Sequence, residues 1–245
     1  MRWVGTVPAV AWVAVRIILA ILCVVLFGAV AVTASGSPLE VASPVLAPRH
    51  TPMPAVATTP PDIGERAART YVRLWGMFAL PIEGEDVPED LELLPGAPRD
   101  YRGGVHEGID FPAPTGTPVL AAASGIVARV DGSFLDWTPE QQDIALSEAL
   151  TLGYTPAATL DRIRGRQVWI DHGKGLVTRY AHLSAVAPLV VGEKVDAGAL
   201  IGEVGGSGYP QGGPHLHFEV RFDDDFYGDG LSGAVLVRAV SRLFR

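Results

Sequence analysis

Gly213-Pro214-His215-Leu216-His217-Phe218-Glu219-Val220 is the stretch from which the rest of the chain can be read. Two histidines one residue apart, followed by apolar and β-favouring residues, predict a strand. Alternate residues of a strand project to the same face, so His215 and His217 are aimed at one point. Two upstream segments can meet them there. His106-Glu107-Gly108-Ile109-Asp110 offers an imidazole and a carboxylate, and Tyr180-Ala181-His182-Leu183-Ser184 adds another imidazole. A His, Asp, His set suits zinc, with the fourth position open to water in a catalytic site. Four of the six histidines thus fall into three motifs able to converge.

The stretch from about Tyr101 to Arg221 resembles the lysostaphin-type (LytM-like) zinc endopeptidases, which cut peptide stems and bridges of bacterial peptidoglycan. A His-x-His pair alone would say little. The resemblance lies in an ordered set: His106 to Phe111, Gly116-Thr117-Pro118-Val119, Ser124-Gly125-Ile126-Val127, Ile170-Asp171-His172-Gly173, Tyr180 to Ser184, Val191 to Val195, Ile201-Gly202 and Gly213 to Glu219. It implies the duplicated-hybrid-motif fold, a Zn2+ cofactor and peptidoglycan peptides as substrate. It also implies a division of labour. His106, Asp110 and His217 are the metal ligands, while His182 and His215 orient and deprotonate the water and stabilise the tetrahedral intermediate. His172 matches the pattern as a structural residue.

That division is chemically sensible. Amide hydrolysis needs a nucleophilic water, stabilisation of charge on the carbonyl oxygen, and a proton for the leaving amine. Zinc held by imidazoles and a carboxylate brings the pKa of bound water near 7 and polarises the carbonyl. A histidine titrates near neutrality and can relay protons.

Composition narrows the classes further. With 48% hydrophobic residues the chain has enough apolar material for a proper core. Its net charge of −8 argues against a nucleic-acid partner. The lone cysteine, Cys23, lies in an apolar run, so a metal must be held by nitrogen and oxygen.

Residues 1–34 read as a membrane anchor or a signal peptide. Ile17 to Val32 is uninterrupted and apolar, and Arg16 can snorkel at its edge. Val32-Thr33-Ala34 passes as a weak cleavage site, but the apolar run exceeds the usual 7–15 residues of a signal peptide, which favours the anchor. Either way the positive charges precede the span, so the remainder is expected outside the cytoplasm. Residues 35–61, rich in Pro, Ala, Ser and Thr, form a linker.

Asp62 opens a helix with Ala67, Tyr71, Leu74 and Phe78 on its apolar side and Pro81 at its end; with the loop to Pro98 it packs on a catalytic domain over 99–245. That domain is predicted to be mainly β, a barrel-like antiparallel assembly. Its strands cover 119–122, 125–130, 167–170, 176–180, 200–204 and 215–222, with Gly173-Lys174-Gly175 as a hairpin turn. Gly205-Gly206-Ser207-Gly208 reads as an open segment beside the site.

A helical hairpin at 135–164 interrupts this pattern, starting at Thr138-Pro139-Glu140-Gln141, stopping at Gly153 and restarting at Thr155-Pro156. It is read as a surface elaboration, a lid or groove wall, or the seat of a regulatory protein. Asp223-Asp224-Asp225 reads as a solvated turn, and the segment from Val235 as a closing helix or strand. The functional alternatives to an endopeptidase are a catalytically silent LytM-like regulator or binder of cell-wall hydrolases, and a wall-binding spacer. A silent relative usually lacks a ligand, whereas this chain has the full set.

Overall fold

The computed structural model describes residues 74–222 and 225–245. The expected anchor, the linker and the start of the helix at Asp62 lie outside the described residues, as do Asp223 and Asp224.

Among the described residues, ten short strands alternate with turns, many of whose glycines sit at positive φ. They are β1 (Ile109–Pro112), β2 (Pro118–Leu120), β3 (Gly125–Val130), β4 (Val168–Asp171), β5 (Leu176–Ala181), β6 (Ala185–Val186), β7 (Lys194–Val195), β8 (Leu200–Glu203), β9 (His215–Phe222) and β10 (Asp225–Phe226). A seven-stranded sheet runs in the order β1-β9-β5-β4-β3-β7, with β10 also on β9; β2-β8-β6 make a second, three-stranded sheet. Every pairing in both is antiparallel. The mainly β class agrees with the sequence. The barrel-like closure does not, because the two sheets stay open and separately paired. Pro112, at the end of β1, has no N–H to extend a ladder beyond that edge.

β9 is the spine of the large sheet. One of its faces is apolar: Leu216, Phe218 and Val220 are buried, and Phe218 packs against Phe78, Phe111, Tyr180 and Phe244. Tyr180 sits fully inside, its hydroxyl accepting from the Ala122 N–H at 2.8 Å and the Thr178 hydroxyl at 3.1 Å. Burial holds its phenol protonated, with the pKa pushed up to about 12. The other face of β9 carries His215, His217, Glu219 and Arg221, as the period of two requires.

The segment before the first motif packs differently from its sequence pattern. Leu74 is helical, but the chain turns at Trp75-Gly76, with Gly76 at φ 60. Phe78 is then extended: its N–H donates to Leu243 O at 3.1 Å, and it accepts from the Arg245 N–H at 3.0 Å. The expected helix through Phe78 is therefore corrected, because a bridge to the C-terminal segment wins over local periodicity. Leu74, Phe78, Ile82 and Leu94 all join the core of the β domain. At the other end, α3 (Gly233–Ser241) is the closing helix, burying Leu236 and Val240.

The insertion between β3 and β4 forms α1 (Pro139–Leu152) and α2 (Ala157–Arg164). Thr138 caps α1 in a reciprocal capping box with Gln141, and Gly153 ends it in the left-handed region at φ 73. This hairpin is tied to the domain on several sides. The Trp137 indole and the Gln142 amide both donate to Gly208 O, at 2.8 and 3.1 Å, and the Gly208 N–H donates to Asp136 at 2.6 Å. Arg129 on β3 holds Asp161 on α2 with two hydrogen bonds, at 2.7 and 2.8 Å.

Candidate metal centre and cleft

The polar face of β9 is completed by its neighbours. Antiparallel register sets Asp110 of β1 opposite His217, with Ala181 of β5 opposite it on the other side. His106 precedes β1, held by backbone bonds to the 96–97 turn. His182 follows β5 immediately and takes the left-handed conformation, φ 60, fixed by its N–H donating to Arg164 O at 2.8 Å. For a histidine that backbone is strained, and such strain collects at functional sites.

His106, Asp110 and His217 converge and are buried, with one donor atom of each within 4.8 Å of the others. His106 Nε2 is 2.9 Å from Asp110 Oδ1 and 3.0 Å from His217 Nδ1, and His217 Nδ1 is 2.8 Å from the same Oδ1. Their outward nitrogens settle the tautomers. His106 Nδ1 faces the Leu94 carbonyl at 3.0 Å, and His217 Nε2 faces the Glu219 carboxylate at 3.1 Å. Both acceptors lack a proton to give, so each of these nitrogens donates. The inward atoms of the neutral rings, like Asp110 Oδ1, are then bare lone pairs crowded together. Such a trio is stable only around a positive charge. Donors of this type, with hydrogen-bonded outward nitrogens, fit a divalent ion such as zinc.

Without metal, the positive charge is a proton on His217. Burial favours its neutral form, but hydrogen bonds to Asp110 and Glu219 outweigh that and push its pKa up to about 9. Burial opposes the charge on Asp110 too, yet His106 and His217 hold its pKa well below the usual carboxylate range.

His182 and His215 stand beside the trio rather than in it. Their rings lie 4.7 Å apart, and His215 Nε2 is 3.7 Å from Asp110 Oδ1. Each donates Nδ1–H to a backbone carbonyl, of Ser207 and Gly213 respectively, both at 2.9 Å. Nε2 is thereby left as the basic atom of each. Burial, then His215 and His217, depress the His182 pKa to about 3. His172 bonds Ser124 O and Thr178 through its two nitrogens and lies apart from the cluster.

A cleft of about 550 Å³ opens over these residues, walled by Arg99, the stacked pair Tyr101 and Tyr209, and Leu160 and Ile163 of the insertion. The insertion is thus a wall of the cleft. The Gly205–Gly208 segment is not open space. Gly205, Ser207 and Gly208 are buried, and a Cβ at Gly208 would collide with the carbonyls of Arg162 and Ile163. These glycines let the insertion approach, which corrects the expected role.

Several residues of the site carry no signal in the motifs. Arg99 donates to Asp110 Oδ2 at 3.2 Å. Behind His217 lies a buried ion cluster in which Glu219 meets Arg164, Arg179 and Arg221. Glu219 and Arg221 could have been found from sequence, since both share a strand face with His217.

A buried two-histidine, one-carboxylate centre on strands, flanked by two further histidines at the floor of a cleft, defines a metallohydrolase-type site. Residues 149–227 match the model of peptidase family M23. The match includes His182, His215 and His217 but starts after His106 and Asp110. Among curated relatives, the peptidoglycan DD-endopeptidase ShyC of Vibrio cholerae is 31% identical over 114 residues, 46% of this chain and 19% of that one. The DD-carboxypeptidase/endopeptidase Mpg of Neisseria meningitidis is 34% identical over 119 residues, 49% of this chain and 20% of that one. The chain spans about a fifth of the length of these relatives. The catalytic domain of the antimicrobial peptidase lysostaphin from Staphylococcus simulans aligns over 70% of this chain and 97% of that one. Its identity is 22% and its TM-score 0.37, too loose to carry an argument.

Proposed function

We propose that the chain is a zinc-dependent endopeptidase that hydrolyses peptide stems or cross-links of bacterial peptidoglycan. The observation that carries this reading is the trio of lone-pair donors, His106 Nε2, Asp110 Oδ1 and His217 Nδ1, at the floor of a cleft beside two more histidines. Zinc bound there supplies a water of pKa near 7 and polarises the scissile carbonyl. The chain's own residues do the rest. His215, with Nδ1 engaged, takes the proton of the attacking water at Nε2 and returns it to the leaving amine, while His182, kept neutral by burial, accepts a hydrogen bond from that water at Nε2 and orients it. The cleft holds an extended peptide between the tyrosine pair and the insertion. The relative named as a peptidoglycan DD-endopeptidase supports the substrate class.

The same proposal places the domain outside the cytoplasm. The run Ile17 to Val32 is read as a single-pass tether, and the linker 35–61 as a spacer of up to roughly 80 Å at about 3.1 Å per residue. A tethered domain acts on the cell's own wall. Incubating the full-length chain with isolated sacculi should give fewer cross-linked muropeptides and new peptide termini, stopped by a chelator and restored by zinc. New reducing sugar ends with intact peptides would make it a glycan-cleaving enzyme. A zinc-loaded chain that leaves cross-links untouched would be the silent regulator.

A further inference from the structure

The insertion brings one charged side chain into the site that the proposed hydrolysis does not use. Arg164, the last residue of α2, is 6% exposed. Its Nε donates to Glu219 Oε1 at 2.6 Å, and its Nη2 donates to Glu107 Oε2 at 2.5 Å. His217 Nε2 donates to that same Glu219 Oε1 at 3.1 Å. The other oxygen, Oε2, is approached by Arg179 and Arg221, each at 3.4 Å. Glu219 itself is 0% exposed, so bulk solvent does not reach either oxygen.

We infer that Arg164 is a positioning residue for the metal centre: by pinning Glu219 Oε1 against His217 it fixes the tautomer that leaves Nδ1 as a bare lone pair toward the ion. The docked insertion thereby becomes part of what retains the ion. This rests on the reading of His106, Asp110 and His217 as metal ligands.

Two effects of removing Arg164 oppose each other. A guanidinium draws charge from the carboxylate it binds, so its loss makes Glu219 a stronger acceptor for His217. Its loss also frees the carboxylate to turn. Arg179 and Arg221 sit at longer distances on the Oε2 side and can draw the group toward themselves, taking Oε1 off His217 Nε2. The second effect dominates, because charge-assisted bonds shorten well below 3.4 Å when geometry allows. Loss of such an outer partner typically weakens metal binding by about 10–100-fold. The position of Arg164 does not depend on Glu219 alone: the clasp of Arg129 on Asp161 holds α2, and Gly165 passes so close to Ser207 that a side chain would not fit.

The test compares full-length wild type with Arg164→Ala and Arg164→Lys. Zinc affinity is measured by competition with a chromogenic chelator near neutral pH, and the chelator-stripped proteins are melted in parallel. Arg164→Ala should bind zinc about 10–100-fold more weakly. Arg164→Lys, which keeps a charged donor for Oε1, should stay within a few-fold of wild type. If Arg164→Ala does not fold, Arg164→Gln replaces it, with the same expectation of weakened binding. Unchanged or tighter zinc binding by the alanine or glutamine variant, even with a lower melting point, makes the residue merely structural and overturns the inference. A wild type that takes up no zinc overturns the ligand reading itself, and the inference with it.

Discussion

In the metal-free chain, raising the pH from 6.5 to about 9 should lower stability progressively, and one imidazole sets the effect. In the folded metal-free protein His217 holds its proton up to about pH 9, against an ordinary value of 6.5, because the bonds to Asp110 and Glu219 outweigh burial. A folded-state pKa above the unfolded one gives stability that is complete below the lower value and lost as pH rises through the higher. At about 1.4 kcal/mol per pH unit, the interval corresponds to about 3 kcal/mol. For a domain of this size that is a fall in Tm on the order of 10 °C. The other shifted histidines act elsewhere. His106 and His182 are lowered, chiefly by burial, so their contributions are lost as pH falls below 6.5. Thermal melts followed by circular dichroism, in small pH steps with and without zinc, separate the cases. With zinc bound, His217 has no proton at Nδ1 to lose, and the curve should be flat. A flat metal-stripped curve, or a zinc-loaded one that declines equally, would refute the reasoning.

Two further outcomes test the site and the core. Replacing His106, Asp110 or His217 with alanine should lower zinc content. Replacing His182 or His215 should leave zinc bound while peptide hydrolysis falls by about 10²-fold or more; metal loss in His215→Ala but not in His217→Ala would reverse the assignment. Tyr180→Phe removes the acceptor shared by the Ala122 N–H and the Thr178 hydroxyl, and should cost about 2–3 kcal/mol in urea denaturation. A loss near zero would mean that both donors find other partners.

The sequence showed most of this site because a period of two is enough to put His215 and His217 on one face, and short β-rich runs between glycines marked the longer strands. β6, β7 and β10 are two residues each, too short for any periodicity to register. Phe78 fell on a helical spacing, but its partner at Phe244 lies far along the chain, and the long-range bridge outweighs local pattern. Glycine was ambiguous in kind: at Gly208 it permits close backbone approach, not room for a ligand. Arg164 was invisible for a related reason. It meets Glu219 across a separation of 55 residues, and nothing in the helix that carries it says where its end will be pressed.

The pairing of β1 with β9 has one more consequence. Asp110 faces His217 only in the observed register, and sliding β1 by one residue would turn its carboxylate to the apolar side, against Phe218 and Phe244. A mispaired chain could still be rich in sheet, yet it would lack a complete ligand set. An ion that binds only the correct pairing would lower the free energy of that state alone, and its uptake would then act as proofreading of strand alignment. Chains that fold in scarce zinc should therefore carry more misaligned β1, and supplying the ion should draw them back.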